Sequence, residues 1–297
     1  YEGRGSKYCP VPANIALREI LGSKEGEKFA IVGLPCQIHG IRKAESINKK
    51  LREKIAFHFG IFCSHSDNFK HLEFIFCKLG IRREDVVRIE YRGGGWPGRF
   101  SITLKNGNVK EINIGDSLWA ACHDIILFVC PSCLLCNDVM ADLADISFGD
   151  PWLPEIMKQE KIGRSIIVAR SEQGKKILNV ANDKGCISLT AISPEKVIQS
   201  QRKYLHFKKV NLEERARFWK TVETPIQFST FQIKKSIFNK VIALFVLNGI
   251  HVESKLNALL KYVPIKIIKI YMAIFDRMYL LAINADFNKL RLDKKLN

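Results

Sequence analysis

The sequence predicts an α/β fold in which a mixed sheet is flanked by helices, with a helical extension at the C-terminal end. Three observations predict it: short apolar runs bounded by polar residues, one alternating hairpin, and amphipathic stretches late in the chain. The chain has 297 residues and is 47% hydrophobic, so it can bury a sizeable core. We predict one domain over residues 1–230 and a basic helical extension over residues 231–297.

The predicted strands are apolar runs, two of which form a hairpin. They cover residues 28–34, 55–62, the hairpin at 99–114, 143–149 and 165–170. In the hairpin, Phe100, Ile102 and Leu104 alternate with polar residues. The Asn106–Gly107 pair that follows tolerates the positive φ angles of a tight turn, which makes this the clearest local prediction.

Prolines, small polar residues and glycines mark the predicted helix ends. Pro35 is suited to the first turn of a helix after the first strand. Ser66 and Asp67 are suited to cap a helix that ends at Gly80. Further helices are predicted from about residue 172 to 182, from Ser193 onward, and beyond residue 232, where Pro264 interrupts the pattern.

The chain is strongly basic, with a net charge of +17. Residues 201–297 hold 19 Lys and Arg against 7 Asp and Glu, which suits a solvated surface, an anionic membrane, nucleic acid or an acidic partner. RNA-binding motifs with interleaved aromatic residues are absent, so we predict no nucleic-acid partner. No apolar run reaches the roughly 18–20 residues of a membrane span. We predict a cytoplasmic protein without a transmembrane span, whose basic extension allows peripheral membrane contact.

The strongest chemical motif is a CxxCxxC run formed by Cys130, Cys133 and Cys136. This spacing lets three thiolates converge on one iron–sulfur cube from a single tight loop. Zinc is the competing interpretation, since such spacings also build tetrahedral sites, and inert thiols are a third. The sequence therefore favours an iron–sulfur loop.

A cubane takes a fourth ligand, and we predict Cys63. It ends an apolar strand and is followed by a Ser-His-Ser loop in which a thiolate can turn outward. The alternatives are Cys122, which is near the triplet in sequence, and Cys36. The fourth candidate, Cys77, lies in a predicted helix beside Phe76, which favours a buried structural thiol.

A second motif, Gly33-Leu-Pro-Cys36-Gln37, lies at a strand-to-helix turn. Gly33 permits close approach of the backbone, and a helix N-terminus favours a phosphate or the electron-rich edge of a flavin. The same position predicts a lowered pKa for the thiol of Cys36. An ordinary α/β turn is the alternative.

A third motif is a run of three glycines before the hairpin. Arg92 and Arg99 beside it offer guanidinium groups for anions, and Trp96 can stack on an aromatic ring. A flexible loop is the alternative. Asp145 and Asp150, after the cysteine triplet, are candidates to bind ribose hydroxyls, to orient neighbouring groups or to cap turns.

Taken in order, these segments resemble the coenzyme F420 hydrogenase/dehydrogenase beta-subunit family. The matching segments are GSKY at 5–8, VGLPCQIHGIRKA at 32–44, FGIFC at 59–63, YRGGGWPGRF at 91–100, CPSCLLC at 130–136, ADISFGDPW at 144–152 and GRSIIVAR at 163–170. The resemblance implies an iron–sulfur flavoprotein that binds FAD beside a [4Fe–4S] cluster. It also implies electron transfer between these cofactors and a hydride carrier, coenzyme F420, within a hydrogenase or dehydrogenase.

The resemblance assigns roles to particular residues. Cys63, Cys130, Cys133 and Cys136 match the cluster ligands. The segments associated with flavin binding contain Ser6, Lys7, Gly33, Pro35, Cys36, Gln37, Arg92 and Gly93. Trp96 is a candidate to shape the slot for the hydride acceptor, and no residue is assigned a catalytic role.

The extra ferredoxin-type cysteine motifs of many family members are absent from this sequence. We expect either that this segment is missing from the sequence or that a separate hydrogenase, dehydrogenase or ferredoxin-type partner subunit supplies it. Residues 232–297 fall outside the resemblance and are expected to be either the docking surface for a partner or a lineage-specific extension. The first alternative function is the same redox scaffold acting on another substrate, for example in polysaccharide or sulfur metabolism. The second is a zinc-stabilised, non-catalytic binding module.

Overall fold

The α/β prediction is confirmed, since a mixed sheet and a second, antiparallel sheet are flanked by helices. The computed structural model describes residues 11–114, 118–119, 128–218, 239–244, 246–247 and 262–293. Within these residues the strands are β1 (Phe29–Gly33), β2 (Ile55–Ile61), β3 (Val86–Gly93), β4 (Arg99–Leu104), β5 (Val109–Asn113), β6 (Ile146–Gly149) and β7 (Ile166–Ala169).

The described helices lie between and after these strands. They are α1 (Asn14–Gly22), α2 (Pro35–Ile47), α3 (Lys49–Lys54), α4 (Lys70–Leu79), α5 (Pro154–Gln159), α6 (Glu172–Asp183), α7 (Pro194–Ser200), α8 (Arg202–Leu205), α9 (Leu212–Phe218) and α10 (Ile265–Asp293). Residues 239–244 are also helical. Two 3₁₀ turns (Arg83–Asp85 and Pro131–Leu135) and one π-helical turn (His206–Val210) complete the set.

The mixed sheet has the order β1-β2-β6-β7, with β1, β2 and β6 parallel and β7 antiparallel to β6. Parallel neighbours need a crossover, which α2 and α3 provide between β1 and β2. The carboxyl ends of parallel strands meet at one edge of a sheet, where α/β proteins bind ligands. The turn after β1 and the segment after β2, which holds Cys63, therefore lie at the same edge.

The second sheet is antiparallel in the order β3-β4-β5. Its β4–β5 hairpin is the predicted one, and Gly107 in the turn has a φ of 83°. Strand β3 was not predicted, because it exposes charged residues such as Arg88 and Glu90 and lacks a clear apolar alternation. Its last residues carry the triple-glycine motif into the turn before β4.

The core consists of two clusters of buried apolar side chains. One lies under β1 and β2 and includes Ile31, Ile38 and Ile55. The other joins the antiparallel sheet and α4 to the cysteine loop, and one face of α10 belongs to it, including Phe275. Part of the predicted extension therefore packs against the preceding region, while the predicted boundary at residue 230 lies outside the described residues.

The start of α4 differs from the prediction. The helix begins at Lys70, whose amide donates to the side chain of Asn68 at 3.0 Å. Asp67 does not cap it, because its buried carboxylate lies 3.2 Å from the Nε2 of His65. The end is as predicted, since Gly80 has a left-handed φ of 65°.

The predicted burial of Cys77 is wrong. Helix α4 buries His71, Phe74, Ile75 and Phe76, whereas Cys77 is exposed on its other side. A position within a helix beside a buried aromatic residue does not fix burial, since the next residue is turned about 100° around the axis.

Candidate functional site

The four predicted cluster cysteines come together from two segments of the chain. Cys63 follows β2, and its amide donates to the carbonyl of Val139 at 2.8 Å. The amide of Cys130 donates to the carbonyl of Ser66 at 2.7 Å, which ties the cysteine loop to the segment after β2. The four thiols are partly buried, and none forms a disulfide. Cys63 lies near Cys133 and Cys136, and the alternative ligand Cys36 lies near Cys136 as well, so the choice of Cys63 as fourth ligand stays a prediction.

The three cysteines of the triplet are carried by one short turn, with Cys133 inside it and Cys130 and Cys136 at its two ends. Residues Pro131–Leu135 form a 3₁₀ turn, in which side chains three residues apart are eclipsed. The Cys133 amide donates to the Cys130 carbonyl at 2.9 Å, and the Cys136 amide donates to the Cys133 carbonyl at 3.3 Å. The three-residue spacing of the cysteines thus matches the three-residue period of the turn.

The electrostatics of the thiols indicate a crowded, partly dry site. Burial raises the pKa of Cys63 to about 12, the nearby Lys208 opposes this increase, and Cys133, Cys36 and Cys136 add to it. Burial also raises the pKa of Cys133 to about 11, although the Ser66 amide donates to its sulfur at 3.3 Å. Cysteine binds a metal as the thiolate, so a metal that binds here would displace the protons of these thiols.

Two buried cations flank the cysteine loop. The Nζ of Lys208 donates to the sulfur of Cys136 at 3.2 Å and to the carbonyl of Asp138 at 2.7 Å. The Nε of Arg215 donates to the carbonyl of Leu134 at 3.1 Å. Burial lowers the pKa of Arg215 to about 9, which leaves its guanidinium charged at neutral pH. Nothing in the sequence pattern marked these two residues, because both lie far from the triplet along the chain.

The donor set fits an iron–sulfur cluster. Four cysteines with adjacent cations are the chemistry that such clusters use, because their potential depends on net charge and hydrogen bonds to sulfur. Among the described residues, no three His, Cys, Asp or Glu side chains lie close enough together to hold one metal ion. A cubane has a different requirement, since each of its thiolates binds a different iron.

The turn between β1 and α2 lies beside the cysteine cluster. Pro35 occupies the first turn of α2, as predicted, and Gln37 holds the turn by accepting from the Leu34 amide at 2.9 Å. Cys36 is near enough to Cys136 for the two sulfurs to interact electrostatically. A Cβ on Gly33 would lie 3.2 Å from the side chain of Ile38, so the turn is closely packed there.

The predicted lowering of the Cys36 pKa is wrong. Partial burial of the sulfur raises the pKa, and the negative charge of Cys136 adds to the increase. Lys208 and the first amides of α2 favour the thiolate, but their effect is smaller. The helix N-terminus is therefore present as predicted, and desolvation outweighs it.

The glycine-rich loop is held by internal contacts. Arg92 forms a 2.5 Å ion pair with Asp150 and donates to the carbonyl of Pro97 at 2.9 Å. The indole of Trp96 is buried, donates to Asp150 at 2.9 Å and stacks on Trp152 with 5.4 Å between ring centroids. Asp150 therefore orients its neighbours, one of the roles predicted for it.

Asp145, the other predicted acidic residue, is placed between the sheet and α2. Burial of its carboxyl raises the pKa, but hydrogen bonds from His58 and Ser171 and the charge of Arg42 outweigh this effect. The pKa of Asp145 therefore lies below its usual value. Its hydrogen bonds hold secondary structure together rather than leaving the carboxylate open to a ligand.

The remaining predicted residues divide into two groups. Gly93 is the last residue of β3, and Gly94 and Gly95, which follow it, have positive φ angles. Ser6 and Lys7, predicted from the N-terminal segment, lie outside the described residues, as does Cys122. Their part in the site stays a prediction.

Comparison with known families gives a match over more than half of the chain. The model of the family described as the C terminus of the coenzyme F420 hydrogenase/dehydrogenase beta subunit matches residues 26–195. The matched range contains Cys63, the cysteine triplet and the turn after β1. Lys208 and Arg215 lie beyond it.

Individual relatives have low sequence identity to this chain. The coenzyme F420-dependent sulfite reductase of Methanocaldococcus jannaschii is 26% identical over 230 residues, which is 72% of this chain and 33% of that protein. The coenzyme F420 hydrogenase subunit beta of Methanococcus voltae is 29% identical over 194 residues, 65% of this chain and 62% of that protein. The chain therefore spans less than two thirds of the length of either relative.

A solved structure has the same fold. A chain of the F420-reducing [NiFe] hydrogenase complex from Methanosarcina barkeri superposes with a TM-score of 0.51 at 24% identity. The alignment covers 73% of this chain and 71% of that chain. None of the described helices is both long and apolar enough to cross a membrane.

Proposed function

Since the chain belongs to the coenzyme F420 hydrogenase/dehydrogenase beta-subunit family, we propose that it is an iron–sulfur flavoprotein oxidoreductase. It passes electrons between a [4Fe–4S] cluster, FAD and a hydride carrier, coenzyme F420, as a cytoplasmic subunit of a hydrogenase or dehydrogenase. The observation that carries this proposal is the convergence of Cys63 with the CxxCxxC loop beside the turn after β1.

In this proposal Cys63, Cys130, Cys133 and Cys136 hold the cluster, which supplies single-electron transfer when bound. The chain contributes hydrogen bonds to the sulfurs, from the Ser66 amide to Cys133, from the Ser66 side chain to Cys130 and from Lys208 to Cys136. Such donors stabilise the more negative, reduced state and so set the potential. The zinc-stabilised binding module is the competing outcome.

The proposed FAD site is built on the turn between β1 and α2. Gly33 lies just before the N-terminus of α2, whose positive dipole end favours an anion, and the amides of Cys36 and Gln37 there act on the Cys36 sulfur. Bound FAD would supply the exchange between single electrons and a hydride. Ser6, Lys7, Arg92 and Gly93 complete the proposed contacts, with Arg92 positioned by its ion pair to Asp150.

The support for placing the two cofactors together is the position of Cys36. This residue lies in the turn proposed for FAD, and its sulfur interacts electrostatically with that of Cys136. An electron then has a short path between the two sites. Trp96 is buried against Trp152 and supports the glycine-rich loop, which in this proposal shapes the slot for the hydride acceptor.

Coenzyme F420 carries phosphate and carboxylate groups, and the net charge of +17 favours its approach. Relatives from Methanococcus voltae and Methanosarcina barkeri carry the name coenzyme F420 hydrogenase subunit beta. We propose that a hydrogenase, dehydrogenase or ferredoxin-type subunit exchanges electrons with this chain. Nucleic acid is not a partner in this proposal.

Anaerobic purification of the 297-residue chain tests the proposal. After reconstitution we expect about four iron atoms and as many sulfides per chain, extractable FAD, and reduction of coenzyme F420 by an artificial electron donor. Cys136→Ser is expected to lose most of the iron, whereas Cys77→Ser, on the exposed side of α4, is expected to keep it. A colourless protein that binds zinc and no flavin would contradict the redox function.

A second candidate is the same scaffold delivering electrons from reduced coenzyme F420 to a sulfite-reducing partner. One relative is named a coenzyme F420-dependent sulfite reductase and matches over 72% of this chain. The cofactors would then be the same. Oxidation of the reduced coenzyme that depends on added sulfite and a partner, and not on a hydrogenase subunit, would favour this candidate.

A further inference from the structure

Two positive charges lie inside the protein beside the cysteine loop. Lys208 is 1% exposed and Arg215 is fully buried. Among the residues that the structure describes, neither forms an ion pair with a carboxylate. Asp138, whose carbonyl accepts from Lys208, directs its carboxylate to His39 and to the amides of Met140 and Asp142.

A buried charge without a partner is strongly unfavourable, because it loses its hydration and gains little in return. Backbone carbonyls and the Oδ1 of Asn211 accept from these cations, and the Cζ of Arg215 lies 3.8 Å from the centroid of the Phe207 ring, but none of these groups carries a negative charge. The Nη2 of Arg215 nevertheless has no hydrogen-bond partner within the described part of the chain. A compensating negative charge is therefore expected close to both side chains.

The cysteine site is where that charge would arise. Lys208 contacts the sulfur of Cys136, and its charge also acts on Cys63 and Cys133. Arg215 donates to the carbonyl of Leu134, between two of the cysteines, and the charge of Cys136 acts on it. Four thiolates bring four negative charges, of which an iron–sulfur core neutralises only part.

We propose that Lys208 and Arg215 are the charge-compensating residues of this cluster site, and that Lys208 raises the reduction potential of the cluster. The inference rests on the proposed function, since it needs a cluster on the four cysteines. Lys208 acts as a positioning and tuning residue and does not touch substrate. A positive charge held next to a ligand sulfur favours the reduced, more negative state over the oxidised one.

The backbone supports a specialised role for this segment. Lys208 lies in the π-helical turn His206–Val210, a rare conformation that is frequent at functional sites. Its neighbour Lys209 is different: its Nζ pairs with the Asp142 carboxylate at 2.9 Å. Lys208 and Arg215 lie beyond residues 26–195, the range matched by the family model, so the segment that follows this range supplies both cations.

Redox titration of the reconstituted chain, followed by electron paramagnetic resonance of the reduced cluster, tests the proposal. Lys208→Met removes the charge and keeps much of the length of the side chain. Lys208→Arg keeps the charge. Lys209→Met is the matched control, because it removes an adjacent charge that is already paired.

We expect Lys208→Met to make reduction of the cluster at least about tenfold less favourable, a shift of at least about 59 mV to lower potential for a one-electron couple. Lys208→Arg and Lys209→Met are expected to stay near the wild-type value. A Lys208→Met variant that loses its iron while Lys208→Arg keeps it also supports charge compensation.

Three results would overturn the inference. Lys208→Met with a loaded cluster and an unchanged potential would show that the charge does not tune it. Equal loss of iron in Lys208→Met and Lys208→Arg, with Lys209→Met intact, would indicate a packing role. A wild-type chain that binds no iron would remove the proposed function as well, so the two failures are distinguishable.

Discussion

Replacing Gly60 by alanine is expected to destabilise the protein and loosen the cysteine site. Gly60 lies in β2, three residues before Cys63, and pairs with Gly33 on one side and Ser147 on the other. An added Cβ would lie 2.3 Å from the Cβ of Ala141 and 2.9 Å from that of Ala144. The segment that must move is the one whose Val139 carbonyl holds Cys63.

The size of the effect follows from these distances. Carbon atoms in contact are normally about 3.5–4.0 Å apart, so the overlap with Ala141 exceeds about 1 Å. Neither alanine Cβ can rotate away, because each is fixed by the backbone. Overpacking of this kind typically costs about 1–3 kcal/mol, and we expect a value near the upper end.

Urea unfolding of the purified chain measures this cost. With a slope of about 1–3 kcal/mol per molar urea, the midpoint is expected to fall by about 1 M or more. Gly40→Ala is the matched control, since it lies within α2 and an added Cβ there meets nothing within 4 Å. That variant is expected to gain about 0.5–1 kcal/mol, because alanine favours a helix interior over glycine.

A second substitution tests the cause of the destabilisation. Ala141 has a positive φ of 53°, so Ala141→Gly removes the nearest atom and suits the backbone. The double variant is expected to recover at least half of the loss and much of the iron binding. If Gly60→Ala unfolds at the wild-type midpoint, or if Ala141→Gly gives no recovery, the packing argument is incorrect.

Three other contacts give measurable outcomes. Asp150→Asn leaves the largely buried Arg92 without its carboxylate and is expected to cost about 2 kcal/mol in urea unfolding; an unchanged midpoint would count against it. Asp145 has a lowered pKa, so its contribution is present above the ordinary pKa of about 3.9 and is lost as the pH falls through the folded value. In Asp145→Asn the free energy of unfolding should depend less steeply on pH in the acidic range than in the wild type. The same pH dependence in both proteins would refute this. Burial lowers the pKa of His206, although Asp286 opposes the shift. The unfolded chain therefore binds the proton first, and stability is expected to fall as the pH drops below about 6.5. His206→Gln should remove that loss, and a loss of the same size would exclude His206 as its source.

The local sequence was sufficient to predict most of the described strands and the main turns. The apolar runs of β1 and β2, the Asn-Gly turn after β4 and the glycine that ends α4 all depend on residues within a few positions of each other. The triplet spacing belongs to the same class, because three-residue steps match one 3₁₀ turn. Strand β3 was missed because charged, exposed residues interrupt its pattern.

The tertiary structure decided how the predicted groups are used. Arg92 and Trp96 look open to a ligand in the sequence, but Asp150, more than 50 residues away, holds both. The pKa of Cys36 is raised rather than lowered because desolvation depends on what packs around the sulfur. Burial of Cys77 could not be predicted for a related reason, since neighbouring helical residues face different surroundings.

The sequence by itself determined which ligands are available and where the chain turns, since spacing and backbone preference act over a few residues. Only the tertiary structure brought Cys63, the triplet and Lys208 together, because those contacts join segments about 70 residues apart. The charge around the cysteines is the sum of such distant contacts. The spacing of residues along the sequence does not predict which charges surround the cysteines, because the folded chain brings those charges together.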